Sequence, residues 1–170
     1  PIYIGIESPL VIPSKQKHAP QAAKLEPSER HYPSGQATAF MRRTIRENPH
    51  QITLLAVGPL TNVAVLFKTD PEIPKLLKEL VIMGGKYSDY PTPWGPTEWN
   101  AINDPHAAHI VFSSQVPNLT AFGLDVTWQL GMTPADVAAR FKGDPLLELV
   151  LDWSEVWFKE RELLHFHGPL

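Results

Sequence analysis

The strongest constraint on the fold lies between Gln36 and Gly123, where segments of helical apolar spacing alternate with short, nearly continuous apolar runs. Ala37, Phe40, Met41, Thr44 and Ile45 recur on one helix face, and Asn48-Pro49 stops the pattern. Ile52-Thr53-Leu54-Leu55-Ala56-Val57 follows as a nearly unbroken apolar run, which predicts a strand covered on both faces. Gly58-Pro59 turns the chain, Thr61 to Phe67 and Ile73 to Glu79 read as helix, and Leu80-Val81-Ile82-Met83 is a further buried strand ending in Gly84-Gly85. Lys86 to Asn103 reads as a long loop. Asp104-Pro105 then offers an N-cap and a proline at the first helical position for a helix through Phe112, and Leu119 to Gly123 reads as strand. Ile2 to Ile6 adds a short β-prone run at the start. Strands alternating with helices imply right-handed crossovers, and so an α/β fold with a mostly parallel sheet and helices on both faces.

The flanks fit this reading. Prolines at 9, 13, 20, 27 and 33 mark an exposed connection, and Thr133-Pro134 signals a second capped helix start. Leu146, Leu149, Val150, Trp153, Val156 and Trp157 form one apolar stripe of a final helix, whose default role is core or interface packing. With 170 residues, 43% of them apolar, the chain is sized for a single α/β domain over 1–170. It opens at Pro1 directly into Ile2-Tyr3-Ile4 and stops at Leu170 without a polar tail, as expected of the central part of a longer domain. A net charge of -3 provides no broad basic field for nucleic acid. The absence of cysteine removes thiolate chemistry and Cys-ligated metals. No apolar run approaches the ~20 residues that cross a bilayer, so neither nucleic acid nor membrane is an expected partner.

In open parallel sheets, ligands bind beyond the carboxyl ends of the strands. That rule selects Val57-Gly58-Pro59-Leu60-Thr61-Asn62, the loop after Met83, and the segment after Gly123. The loop after Met83 gathers Tyr87, Asp89, Tyr90, Trp94, Glu98, Trp99 and Asn100. Glu98 and Asn100 can bond hydroxyls, and the aromatic faces can stack a flat heterocycle, a mixture suited to a polyhydroxylated, partly aromatic ligand. The same residues would equally serve a proline-rich loop that folds its aromatics onto the surface. His165-Phe166-His167 sets two imidazoles on one side of an extended segment, fit for a metal or a general acid, although such a pair is more often structural. His106 and His109 lie one helical turn apart, where packing or solvation accounts for them. Asp125 stands at a strand's carboxyl end, where local capping of the next turn is the favoured role. Neither a Gly-x-Ser-x-Gly elbow nor a phosphate loop occurs.

Leu54-Leu55-Ala56-Val57-Gly58-Pro59-Leu60-Thr61-Asn62, Val81-Ile82-Met83-Gly84-Gly85, Glu98-Trp99-Asn100, Asn103-Asp104-Pro105-His106-Ala107-Ala108 and Gly123-Leu124-Asp125-Val126-Thr127 occur in this order. Together they resemble the inosine-uridine preferring nucleoside hydrolase family. The resemblance implies a Rossmann-like nucleoside hydrolase fold, present here in part, and hydrolysis of the N-glycosidic bond of ribonucleosides to ribose and free base. It implies Ca²⁺ as cofactor, a nucleoside as small-molecule partner and a homo-oligomer; a cytoplasmic location is the default expectation. By the same resemblance, Glu98 and Asn100 bind ribose hydroxyls and the Val57 backbone carbonyl is a Ca²⁺ ligand. Trp99 is similar to the purine-preferring branch, so purine nucleosides are slightly favoured. His167 corresponds to a histidine near the leaving base that serves as proton donor. Gly168 stands where the family carries an aspartate ligand, and the family's aspartate-rich N-terminal motif has no counterpart here. These departures leave a catalytically impaired nucleoside- or ribose-binding pseudoenzyme as the alternative.

Overall fold

The computed structural model describes residues 1–15, 19–24, 32, 34–159, 162 and 164–165. Its centre is a parallel sheet of β1 (Thr53–Ala56), β2 (Glu79–Met83) and β3 (Leu119–Phe122), in the order β1-β2-β3. The register pairs Leu54 with Leu80 and Leu80 with Leu119, then Ala56 with Ile82 and Ile82 with Ala121. Because side chains alternate along a strand, these six residues share one sheet face. The helices that follow in sequence are α1 (Ala37–Glu47), α2 (Thr61–Thr69), α3 (Ile73–Leu76), α4 (Trp99–Asn103), α5 (Pro105–Phe112), α6 (Leu124–Thr127), α7 (Pro134–Phe141) and α8 (Leu147–Trp157). A short 3₁₀ turn covers Pro20–Lys24, and β4 (Gly131–Met132) pairs antiparallel with β5 (Leu164–His165). No helix among the described residues is long and apolar enough to cross a membrane.

The core lies between that sheet face and α1, α2 and α5. Ile45, Val63, Ala64, Leu66, Phe67, Ala107 and Val111 pack with Ala56, Leu80 and Ile82 in one buried cluster. Leu66, Leu80 and Ile82 are fully buried, each contributing roughly 2 kcal/mol of apolar transfer. On the helix side, Arg46 grips the buried Asp70 through two hydrogen bonds of 2.6 Å, tying α1 to the end of α2. This guanidinium is the main reason the Asp70 carboxyl lies below its ordinary range.

The opposite face departs from the expectation for Ile52–Val57. Leu55 and Val57 are 55% and 54% exposed, and Thr120, which shares the row of Leu55 and Val81, is exposed as well. β1 is therefore an edge strand buried from one side only. The segment Ile2–Ile6 pairs with no described strand. It is held by the Asn62 side-chain amide, which accepts from the Ile6 N–H at 2.8 Å and donates to the Ile6 carbonyl at 3.0 Å, and by the Tyr3 ring, which stacks on Phe40 with centroids 4.6 Å apart. A side chain thus takes the place of a neighbouring strand. The helix expected over Ile73–Glu79 ends at Leu76, because Leu77 is extended and Lys78 donates to the Ile52 carbonyl, starting the β1–β2 ladder.

Helix α7 starts as its sequence predicts, with Thr133 and Asp136 forming a reciprocal capping box. The stripe on α8 is only partly covered, with Leu146 and Leu149 exposed and Ser154 the buried residue of the helix.

Candidate functional site

Parallel register brings three chain segments out at one edge: Val57 after β1, Gly84-Gly85 after β2, and Gly123 after β3. The loop after β2, expected to be irregular through Asn103, closes with α4, and this helix organises the edge. Its N-cap is Glu98, which is 3% exposed. One Glu98 oxygen accepts from the Asn100 N–H at 2.7 Å; the other accepts from the Ala101 N–H at 2.9 Å and the Gly85 N–H at 3.0 Å. The longer glutamate therefore does what a serine or aspartate cap does and also reaches the strand end. Gly85 presents its amide to Glu98 from a left-handed backbone, φ +81°, that only glycine adopts without strain. Asn100 closes the same contact from its side chain, with Nδ2 donating to the Met83 carbonyl at 3.0 Å. Glu98 and Asn100 are thus brought together at the carboxyl end of β2. Trp99, between them, is 39% exposed, and its carbonyl accepts from Asn103 Nδ2 at 2.7 Å.

Tyr87 and Asp125 build the neighbouring part of the edge. The Tyr87 hydroxyl donates to the Gly84 carbonyl at 3.0 Å, and its N–H donates to Asp125 Oδ1 at 3.2 Å. Its ring lies so close to Gly123 that an added Cβ there would meet Tyr87 Cδ2 at 2.7 Å and collide with the Asp125 carboxylate. Tyr87 as a whole is more than half exposed, but its hydroxyl end is tucked against the glycines. Desolvation there, followed by the charges of Glu98 and Asp125, raises the phenol above its ordinary range. Burial pushes the Asp125 carboxyl up, but hydrogen bonds from the Ser88 hydroxyl and the Tyr87 N–H, with the Lys86 charge, outweigh it and leave the group below the usual carboxylate range. Asp125 therefore reaches across to the loop after β2, which a purely local cap would not do.

Asp104 is the residue whose environment the sequence understated. It caps α5 as expected, accepting from the Ala107 N–H at 3.0 Å, but it is fully buried and its second oxygen accepts from Thr61 Oγ1 at 2.7 Å and from the Leu10 N–H at 2.9 Å. The Asp-Pro pair signalled the cap; nothing in the linear pattern signalled Thr61.

His167 and Gly168 lie outside the described residues. His165 is in β5, opposite Gly131. Among the described residues, no group of three or more His, Asp or Glu side chains stands where it could hold a metal ion. The Val57 carbonyl sits at a half-exposed strand end, but Ca²⁺ takes six to eight oxygens, and the described residues do not by themselves fit that set.

The family model for inosine-uridine preferring nucleoside hydrolases matches residues 1–169. Pyrimidine-specific ribonucleoside hydrolase RihA of Salmonella arizonae is 42% identical over 140 residues, covering 79% of this chain and 44% of its own length. Among solved structures, a purine-preferring ribonucleoside hydrolase from Gardnerella vaginalis superposes with a TM-score of 0.79 at 25% identity, over 98% of this chain and 58% of that one. The plant nucleoside hydrolase PpNRh1 gives the same fold, with a TM-score of 0.79 at 24% identity, over 98% of this chain and 57% of that one. The chain spans about half the length of the curated relatives it matches.

Proposed function

The chain belongs to the inosine-uridine preferring nucleoside hydrolase family, and from that premise we propose that the protein hydrolyses the N-glycosidic bond of ribonucleosides. In this reaction the bond between the anomeric carbon and the base nitrogen breaks, water supplies the new hydroxyl of ribose, and the base leaves with a proton. The observation that carries the reading is the pairing of Glu98 and Asn100 on one short helix at the carboxyl end of β2. Glu98 accepts three backbone N–H groups, and a carboxylate has about four acceptor positions, which leaves one for a sugar hydroxyl. Asn100 commits Nδ2 to Met83 and keeps its carbonyl oxygen as a second hydroxyl acceptor. Both groups are anchored by backbone before any ligand arrives, so they orient the sugar with little reorganisation.

In this reading the Val57 carbonyl contributes one oxygen to Ca²⁺, His167 protonates the leaving base, and Trp99 walls the base site. A bound Ca²⁺ would supply Lewis-acid and water-activating chemistry; the described side chains supply binding and orientation. Purine nucleosides are the slightly favoured substrates, supported by the exposed Trp99 and by the purine preference named for the Gardnerella relative, while the Salmonella relative is named for pyrimidines. Residues 1–170 then form the central part of a longer domain, a reading supported by the half-open edge strand β1 and by the length of the relatives. A homo-oligomeric, cytoplasmic enzyme completes the proposal.

The test is ribose release from inosine and uridine by the purified natural chain with added Ca²⁺. Release supports the hydrolase, with inosine turned over faster; no release from either nucleoside overturns it. Gly168, at the position of a family aspartate, favours a second reading, a protein that binds nucleoside or ribose without turnover. Calorimetric binding without ribose release would establish it.

A further inference from the structure

Asp104 sits at the corner where α4 ends and α5 begins, serving as C-cap of one and N-cap of the other. Capping α5 needs only one side-chain oxygen, the one that accepts from Ala107, and serine or asparagine would do it as well. The second oxygen faces the other way, accepting from Thr61 Oγ1 at 2.7 Å and Leu10 N–H at 2.9 Å. All three donors are neutral, and the residue is 0% exposed. Burying an anion without a cation is costly, so capping alone does not account for an aspartate here. An acceptor on both ends does: the amide of an asparagine would set an N–H₂ group against donors at one end.

The two donors held by the second oxygen belong to other parts of the molecule. Thr61 opens α2 and ends the Gly58-Pro59-Leu60 turn that follows Val57; Leu10 lies in the N-terminal segment. Glu98 caps α4 and Asn100 lies on it, and the end of this helix runs directly into Asp104. We propose that Asp104 is a positioning residue that holds the turn after β1 and the sugar-binding helix α4 in one fixed relation, an inference that rests on the hydrolase reading. Its carboxylate touches no substrate. It acts through Thr61 on one side and through the α4–α5 corner on the other, so that the groups after β1 and after β2 meet one ligand in one geometry.

Asp104→Ala also removes the α5 cap and would confound positioning with unfolding, so the informative change is Thr61→Val, which keeps the side-chain shape and deletes one donor, with Thr61→Ser as the conservative control. In the natural chain with added Ca²⁺, Thr61→Val raises KM for the hydrolysed nucleoside about tenfold, the loss expected for one hydrogen bond to a charged group. It leaves kcat within about twofold, and Thr61→Ser restores KM. Amide hydrogen exchange at Asn100 and Ala101, whose N–H groups Glu98 holds, accelerates in Thr61→Val and returns to the wild-type rate in Thr61→Ser. An unchanged KM in an active protein overturns the proposal, whatever the exchange shows. If the wild type releases no ribose, the hydrolase reading fails on its own, and exchange decides the tie: acceleration at Asn100 and Ala101 upholds the coupling, and an unchanged rate removes it.

Discussion

Replacing Glu98 by glutamine tests whether this carboxylate is built into the fold through the backbone amides it accepts. The two side chains are nearly isosteric, so packing is kept and only the acceptors change. Glu98 receives N–H groups on both oxygens, Asn100 on one and Ala101 with Gly85 on the other. Glutamine retains one oxygen. If that oxygen stays with Ala101 and Gly85, its amide N–H₂ meets the Asn100 N–H, donor against donor; the reverse orientation strands two N–H groups. At 3% exposure water has little access to repair either arrangement. Leaving one buried donor unsatisfied costs about 1–3 kcal/mol, and the less damaging orientation strands only one. Glu98→Gln is therefore expected to lower unfolding stability by about 2 kcal/mol, and Glu98→Ala, which removes all three bonds, by about 3 kcal/mol. Urea denaturation followed by circular dichroism measures both, read from the midpoint at constant slope. A loss below about 0.5 kcal/mol in Glu98→Gln, the range of ordinary surface changes, would refute the view that three backbone amides depend on this carboxylate.

Further outcomes follow from other parts of the molecule. Leu66→Ala, in the fully buried core under the sheet, is expected to lose about 3 kcal/mol in the same denaturation assay. Gly123→Ala pushes a methyl into the Tyr87 ring and the Asp125 carboxylate and should cost about 1–3 kcal/mol; combining it with Tyr87→Ala should cost less than the sum, a coupling that a double-mutant cycle reads directly. Asp70 and Asp125 both titrate below the ordinary 3.8 when folded. The unfolded chain then binds more protons in that range, so their stabilisation is complete well above pH 4 and is lost as pH falls through the depressed values. Asp70→Asn should flatten the acid limb of a stability–pH curve, and an unchanged limb would show that the Arg46 pair contributes nothing to it.

The fold was legible where burial and periodicity coincide. Leu80-Val81-Ile82-Met83 and the Asp104-Pro105 start are local signals, and the structure places a strand and a capped helix there. Leu55 was less legible, because an apolar run reads the same whether or not its second face is covered, and β1 turns out to lie at the sheet edge. Ile2 to Ile6 has strand composition, but what holds it is the amide of Asn62, 56 residues on from Ile6, and the ring of Phe40 under Tyr3, partners that no local pattern announces. The short helix α4 was hidden for a different reason. Its five residues are too few to show a period, and its cap is a glutamate, a residue type that cap preferences do not single out. Within the candidate site, Glu98 and Asn100 stood out by residue type and position, whereas Tyr87 and Thr61 acquire their roles only from the close approach of Gly123 and Asp104.

Four of the side chains that shape the strand-end edge and its supports, Asn62, Glu98, Asp104 and Asp125, bind backbone N–H groups of segments distant in sequence. None of these bonds draws on a lysine or arginine. Arg46–Asp70, the shorter of the ion pairs among the described residues, lies instead where α1 meets the end of α2. Three of the backbone bonds are amide-to-carboxylate bonds in part-buried positions, directional and less screened by salt than an exposed guanidinium pair. The carboxyl edge of the sheet is thus organised by its own backbone before a ligand binds. Glu98 and Asp125 both stand close enough to Tyr87 for their charges, after desolvation, to raise its phenol, and the Lys86 charge acts on Asp125 from the same edge.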